Sequence, residues 1–532
     1  MRAVSFASAR AYPRARVETP IDEWTEVLGA LSLATDLANG HDYEKTLRSC
    51  VLAVRLAEAM GYGEGELRDV FHASLLRYVG CSSFAHEEAL LFGDEIAARK
   101  AYATVDPRRV GQIWRASGEA VQAEPSAVRR ALRRGSSLLR APASLRDLIA
   151  SQCEVGMRFA ARLSLGAEVT AALGQIHERW DGAGGPTGLQ GEQLAPVARV
   201  VQVAHLAELV HQRLGLEAAV DVIGQRGGSA LAPEACDAFT TRARELLSPT
   251  ESAWDDFVQV GLRFPVIDAE RTLDEVVEVF ADLVDLSSVH TLGHSRAVAH
   301  SATKGGEHLG LSAEELVDLR RAALLHDLGR LAVPASVWNK REPLTASDWE
   351  RIRLHAYQGA RILARAPSLA RVAAIACADH ERCDGSGYPK TVDASALPPA
   401  ARILAAADVH CALLEDRPHR PAHSPSRAEA ELRHEAERGR LDPTAVEAVL
   451  GCRPRAARRD ASLPAQLTAR EAEVVSWVAR GETNKEVAGR LGISPRTVGH
   501  HLAHAFEKIG VSTRAALALF AVEHDLVAAP DE

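Results

Sequence analysis

Aromatic residues are scarce, only 5% of 532 positions. Ala, Leu, Val, Glu and Arg dominate instead, a composition that favours helix over sheet. Paired cysteines are missing as well. Cys50, Cys81, Cys153, Cys236, Cys377, Cys383, Cys411 and Cys452 form no CxxC, which excludes the usual thiolate zinc site and fits a reducing cytosol better than a disulfide scaffold. No apolar run approaches the roughly 20 residues of a membrane helix. The Arg- and Ser-rich start of the chain lacks the apolar core of a secretory signal. We therefore expect a cytoplasmic protein with no membrane partner, residues 1–20 being a disordered tail. A net charge of −9 excludes a whole-chain basic field, so any nucleic-acid contact must be local. The length predicts three or four domains, and 47% hydrophobic residues are enough for several cores.

The chain repeats itself. Residues 41–80 align without a gap on 290–329: His41 falls on His290, Glu58 on Glu307, Gly61 on Gly310, Leu67 on Leu316, Asp69 on Asp318 and Gly80 on Gly329. HERWDGAGGP (177–186) matches HERCDGSGYP (380–389), and Pro196 and Arg199 then match Pro399 and Arg402. The second match has a shorter offset, so the first copy carries extra residues, near 82–145. The copies differ in their chemistry-bearing residues. His294, His326, Asp327, His355, Asp379, His380 and Asp408 of the second copy align with Lys45, Arg77, Tyr78, Gln152, Ile176, His177 and His205 of the first. The first copy should keep its fold and lose its site.

In the second copy LVDLRRAALLHDLGRL (316–331) reads as a buried helix ending in His326-Asp327. The other imidazoles and carboxylates lie on separate predicted helices, and a helical bundle can converge such groups on one point. Four imidazoles and three carboxylates suffice for two divalent ions. Mixed N/O ligands suit iron, manganese, cobalt, nickel or zinc, with iron or manganese our expectation. Such a pair can generate hydroxide and hold a phosphodiester for in-line attack, with Asp327 as a bridging carboxylate. Arg330 and Lys340 would neutralise phosphate oxygens. The turn Asp384, Gly385, Gly387, Tyr388, Pro389 forms a tight loop just after Asp379-His380, a candidate substrate loop.

Residues 288–450 resemble the HD-GYP family of HD-superfamily metallophosphohydrolases, through GHS (293–295), HDLGR (326–330), the pair His355 and Gly359, HERCDGSGYP and RILAAADV (402–409). The resemblance implies a helical bundle with a two- or three-metal centre and hydrolysis of cyclic di-GMP. Mapped by motif, it names the same seven ligands. Three positions depart from the family. Asp379 replaces the first His of the usual His-His-Glu, Arg330 replaces the usual Lys, and His290 stands where three-metal members have Glu.

A basic linker, 452–466, leads into LTAREAEVVSWVARGETNKEVAGRLGISPRTVGHHLAHAFEKIG. Thr468 with Glu471 and Thr483 with Glu486 form capping boxes, and Ser494-Pro495 starts a helix. The spacing predicts four short helices, with 484–491 and 495–508 as a helix-turn-helix. Arg496, Thr497, His500, His501 and His504 would face the major groove, Ser494 at the helix start would join the DNA-binding set, and Lys485 and Lys508 would meet the phosphates. This segment resembles the LuxR-type helix-turn-helix along its whole length, which implies DNA-binding transcription regulation, usually as a dimer. Gly499 departs from the Lys commonly found there.

The fold expected is all-α: two tandem HD-type helical bundles (21–287, degenerate, with an insert near 82–145, and 288–451), then a small four-helix reader (467–527). The function expected is a transcription regulator acting on double-stranded DNA as a homodimer, in the manner of its reader's family, with a metal-dependent phosphodiesterase domain for cyclic di-GMP or a related phosphoester. The alternative is a regulator whose HD domains sense ligand or dimerise without turnover.

Overall fold

Local sequence sets where the helices start. Ser312 with Glu315, Thr345 with Asp348, Thr468 with Glu471 and Thr483 with Glu486 each exchange side-chain-to-backbone hydrogen bonds across one helical turn, satisfying donors that a helix N-terminus leaves unpaired. The computed structural model describes residues 23–122, 124, 126–248, 252–264, 273–451 and 463–527, the side chains of 23 and 140–144 excepted. The tail 1–20, Cys452 and the basic stretch 453–459 lie outside the described residues. Among the described residues the regular structure is helical, with no strand and only two isolated bridges.

The two bundles repeat one plan. In the first, helix Lys45–Ala59 packs on Glu64–Leu75 and Pro196–Leu214; in the second, His294–His308 packs on Ala313–Leu325 and Pro399–Leu414. Each opens on a buried carboxylate. Asp36 accepts the Thr46 amide at 3.1 and 3.2 Å, and Asp285 accepts the Ser295 amide at 2.9 Å and its hydroxyl at 2.8 Å. Asp285 belongs to helix Leu273–Asp285, which packs on His294–His308 and Ala313–Leu325. The second bundle therefore begins before residue 288. Two glycines are required by close approach: a Cβ on Gly80 would lie 1.9 Å from the Gln152 carbonyl oxygen, and one on Gly329 1.9 Å from that of His355.

The extra residues of the first copy fold into helices Ala85–Phe92, Glu95–Tyr102 and Val110–Ala120 and the start of the 36-residue helix Ala127–Arg162. They bridge the bundles. Glu95 accepts the Ala335 amide at 2.7 Å, and Arg351 pairs with Asp94 at 3.0 Å. The last helix, Arg514–Glu523, lies against Ala127–Arg162. Arg162 joins Asp282 (2.7 Å) and Glu523 (3.3 Å), and Glu154 accepts the Ser512 amide at 2.6 Å. Gly481 of the C-terminal domain sits against Val289, in the loop that leads to His294.

Candidate functional site

Five segments of the second bundle deliver their polar side chains to one buried point. His294 is the first residue of its helix, set there by Gly293, whose φ of 77° belongs to the left-handed region that glycine adopts without strain. His326 caps the C-terminus of Ala313–Leu325, and Asp327 starts the 3-10 turn Leu328–Ala332. His355 lies within helix Ala346–Leu363, Asp379 and His380 follow helix Ala370–Ala376, and Asp408 lies within Pro399–Leu414. Two groups offer ligand atoms within 4.8 Å of one another: His294, His326 and Asp327; and Asp327, His355, Asp379 and His380. Asp327 is common to both. Asp408 closes the cluster, with Oδ1 3.2 Å from His294 Nε2 and 3.7 Å from His326 Nε2. His380 Nε2 lies 3.1 Å from His355 Nε2. All seven predicted ligands therefore share one pocket, whereas His290 is in neither group.

The charges of this pocket suit a divalent cation. Buried polar atoms are nearly always paired, yet His326 Nε2 and both carboxylate oxygens of Asp379 have no hydrogen-bond partner. Burial drives the Asp379 carboxyl well above its usual range. Burial disfavours the charged form of His326, but Asp327 and Asp408 outweigh it and hold the imidazole near 10. His294 is likewise held near 9, against burial, by Glu415 and Asp408. Burial lowers His380 to about 3, which favours the neutral ring. Carboxylates that recruit protons onto two neighbouring imidazoles are a negative charge excess, the kind a metal ion neutralises. The donor set, imidazole nitrogen with carboxylate oxygen, is one that first-row divalent metals accept.

The rim is more mixed. Arg330 donates to Asp327 Oδ2 at 3.2 Å, and its guanidinium lies 3.9 Å over the Trp338 ring. Lys340 is tied to Asp348 at 2.6 Å. In the predicted substrate loop, Asp384 accepts the Ser386 amide at 2.9 Å and is exposed, while Tyr388 stacks on His380 with centroids 4.8 Å apart. Gly385 takes φ 77°, a Cβ on Gly387 would lie 2.4 Å from the Arg382 amide, and Pro389 follows a cis peptide bond. Glu381 anchors the loop by accepting the Lys390 amide at 2.6 Å and the Val392 amide at 3.1 Å. Three residues at this site escaped the sequence reading. They are Glu415, 3.0 Å from His294 Nδ1, Trp338, and the exposed Arg353, whose guanidinium lies 5.7 Å from the Tyr388 ring.

The aligned pocket of the first bundle is closed by its own side chains. Lys45 is buried, donates to the Tyr78 hydroxyl at 3.1 Å and touches His205 Nδ1, while His177 bonds Gln152 at 2.9 Å. Burial lowers Lys45 to about 7 and His177 to about 3.

The C-terminal domain consists of helices Ala469–Ala479, Asn484–Leu491, Pro495–Ile509 and Arg514–Glu523. Gly492 turns the chain between the second and third at φ 63°. Arg496, His500 and His504 are exposed on the third helix and Lys485 on the second; Thr497 and His501 are half-buried. Ser494 caps the third helix through the Thr497 amide at 3.1 Å, and Lys508 pairs with Glu471 at 2.6 Å.

A bundle core carrying this histidine–aspartate cluster defines an HD-type domain, and the helix-turn-helix behind it defines a DNA reader. Comparison with known proteins agrees on both. Residues 278–445 match the HD domain family and residues 465–521 the luxR family of bacterial regulatory proteins. The chain therefore joins an HD domain to a LuxR-type DNA-binding domain. It is 28% identical over 404 residues to the 3′3′-cGAMP-specific phosphodiesterase 3 of Vibrio cholerae, covering 75% of this chain and 88% of that protein. It is 37% identical over 186 residues to the cyclic di-GMP phosphodiesterase response regulator RpfG of Xanthomonas campestris, and 34% identical over 184 residues to a cyclic di-GMP phosphodiesterase of Thermotoga maritima. Those matches cover 34% of this chain in each case, and 49% and 50% of the two relatives. A crystal structure of a V. cholerae cyclic GMP-AMP phosphodiesterase shares the fold, with a TM-score of 0.54 at 24% identity over 81% of this chain and 98% of that one.

Proposed function

We propose that this chain is a transcription regulator whose second bundle is a metal-dependent phosphodiesterase for a cyclic dinucleotide, cyclic di-GMP or 3′3′-cGAMP. The observation that carries the reading is Asp327, shared by two ligand groups that draw on four separate segments, with Asp408 adding a fifth. His294, His326, Asp327, His355, Asp379, His380 and Asp408 would hold two divalent ions, iron or manganese. Such ions supply a hydroxide at neutral pH and charge stabilisation for a phosphoryl group in flight. Around them, Arg330 orients Asp327 while Trp338 fixes Arg330 by stacking. Tyr388 holds the His380 ring and presents an aromatic edge to a base, and Arg353 adds positive charge beside it for a phosphate. Lys340 acts at a distance, by ordering the start of helix Ala346–Leu363 through Asp348.

The first bundle is a degenerate HD domain, its pocket filled by Lys45, and it serves as a packing and dimerising module. The reader docks through Lys485, Arg496, His500, His501 and His504 as part of a homodimer in the cytoplasm, with Ser494 and Thr497 ordering the start of the recognition helix. The test is elemental analysis of the purified chain, followed by hydrolysis assays on both dinucleotides with iron or manganese. Protein that holds metal and cleaves either substrate supports the reading. Protein that takes up no divalent metal under any loading condition would overturn it.

A second reading, sensing without turnover, is favoured by the contact of Gly481 with Val289, five residues before His294. Ligand occupancy would then reach the reader directly. His326→Ala with Asp327→Ala should change operator affinity without touching the reader; unchanged affinity and unchanged ligand response would remove the coupling.

A further inference from the structure

Each metal-facing imidazole must present a lone pair inward, so the proton on its other nitrogen needs a partner behind it. His326 and His355 solve this locally. Their Nδ1 atoms face the carbonyl oxygens three residues earlier, Ala323 and Ile352. His294 has no such carbonyl, because it is the first residue of its helix and follows a left-handed glycine. The Thr291 carbonyl, three residues back, is taken by the His294 amide itself at 2.9 Å. The ring of His294 instead reaches across the fold. Its Nδ1 lies 3.0 Å from Glu415 Oε1, while its Nε2 faces Asp408 and Asp327 at 3.2 and 3.9 Å. The two ring nitrogens point to opposite sides, one to the cluster and one to Glu415.

Glu415 is itself held. Arg417 donates to its Oε2 at 2.7 Å. Arg420 donates to the carbonyls of Leu413 and Glu415, at 3.2 and 3.3 Å, and to that of Ala412 at 2.5 Å. The segment that follows helix Pro399–Leu414 is thereby folded back against the pocket. The aligned position in the first bundle is Gln212, where the His294 position is Lys45. The carboxylate and the imidazole it would orient are absent together.

We infer that Glu415 is the positioning residue for His294, fixing the tautomer and the ring orientation that leave Nε2 free for a metal ion. The inference rests on the metal-centre reading above. It makes Glu415 a determinant of metal affinity that touches neither metal nor substrate.

The test uses the full-length chain, stripped of metal and titrated with Mn2+ by calorimetry, with thermal unfolding of the metal-free protein alongside. Loss of an outer-sphere partner typically weakens metal binding by about 10- to 100-fold. Glu415→Ala should show a loss of that size. Glu415→Gln, which keeps an acceptor without its charge, should show a smaller one. Arg417→Ala should weaken binding in the same direction. The unfolding midpoint of the metal-free protein should stay near that of the wild type. Wild-type affinity in Glu415→Ala would overturn the inference while leaving the metal centre standing. So would a loss of affinity that merely tracks a lowered midpoint of the metal-free protein. Wild-type protein that takes up no Mn2+, Fe2+ or Co2+ would sink the metal centre itself, and this inference with it, which separates the two failures.

Discussion

Two pockets built on one plan have taken opposite routes to neutrality. In the second bundle three buried carboxylates face four imidazoles, and His326 Nε2 and Asp379 are left without hydrogen-bond partners. In the first, the position of His294 is taken by Lys45, whose ammonium bonds Tyr78 and touches His205. The supports around both pockets are the same. Glu178 accepts the Thr187 and Gly188 amides at 2.7 and 3.1 Å as Glu381 accepts those of Lys390 and Val392. Arg199 donates to the Leu194 carbonyl at 2.9 Å as Arg402 does to that of Leu397. The comparison teaches that scaffold and chemistry are separable. Hydrogen bonds that close turns and start helices persist where the metal-type ligands have gone.

The largest expected effect breaks the pair apart. His326→Ala with Asp327→Ala should remove bound metal and bring cyclic dinucleotide hydrolysis to background. Lys45→Met in the first bundle should leave metal content unchanged, as read by elemental analysis of both proteins. Metal lost equally from both variants would refute the division of labour.

Next come the two close approaches. Gly80→Ala and Gly329→Ala each push a Cβ against a backbone carbonyl, and overpacking of this kind costs about 1–3 kcal/mol. Chemical denaturation should show similar losses in both. A loss confined to Gly329 would mean that the first bundle tolerates a shift the second does not.

A smaller effect concerns Asp285. Burial raises its carboxyl to about 7, against an unfolded value of 3.8. The folded chain then binds the extra proton between those values, so this group's contribution to stability is present below about pH 4 and is lost as pH rises through about 7. The slope from one such group is at most about 1.4 kcal/mol per pH unit. Asp285→Asn keeps an acceptor for the Ser295 amide and should flatten the fall in stability between pH 4 and 7, measured by urea unfolding. An unchanged slope would exclude Asp285 as its source.

The smallest lies in the reader. Thr483→Ala removes the cap on the Glu486 amide and should cost about 1 kcal/mol, with no change in metal content.

Much of this was legible in the chain. The capping pairs Thr468–Glu471 and Thr483–Glu486, the Ser494-Pro495 start and the repeated DGxGxP turns are short-range features, complete within a few residues. They placed the helix-turn-helix at 484–491 and within a residue of its observed end at Ile509. Six of the seven polar residues could be picked out because the second copy differs from the first at those positions, and His380 because it is shared with His177 inside the repeated HERxDGxGxP block. Glu415 could not. It lies beyond the matched motifs, and its importance appears only when the end of one helix folds back on the start of another. The apolar periodicity of helix Leu273–Asp285 says that it buries a face, and not which bundle receives it, so the boundary at 287/288 places it with the first copy while the fold packs it on the second. Lys340 and Lys508 read as free cations because a sequence does not show that Asp348 and Glu471 lie within reach.

By itself, then, the order of residues decided the helices, their caps and turns, the duplication, and which copy keeps the imidazoles and carboxylates, since these depend on contacts a few positions apart or on residue identity alone. Only the packing of distant helices decided that the seven groups meet, which nitrogen of His294 faces inward, that Lys45 fills the first pocket, and that the reader lies against both bundles. Those outcomes depend on distances between segments tens to hundreds of residues apart, and a linear pattern carries no measure of them.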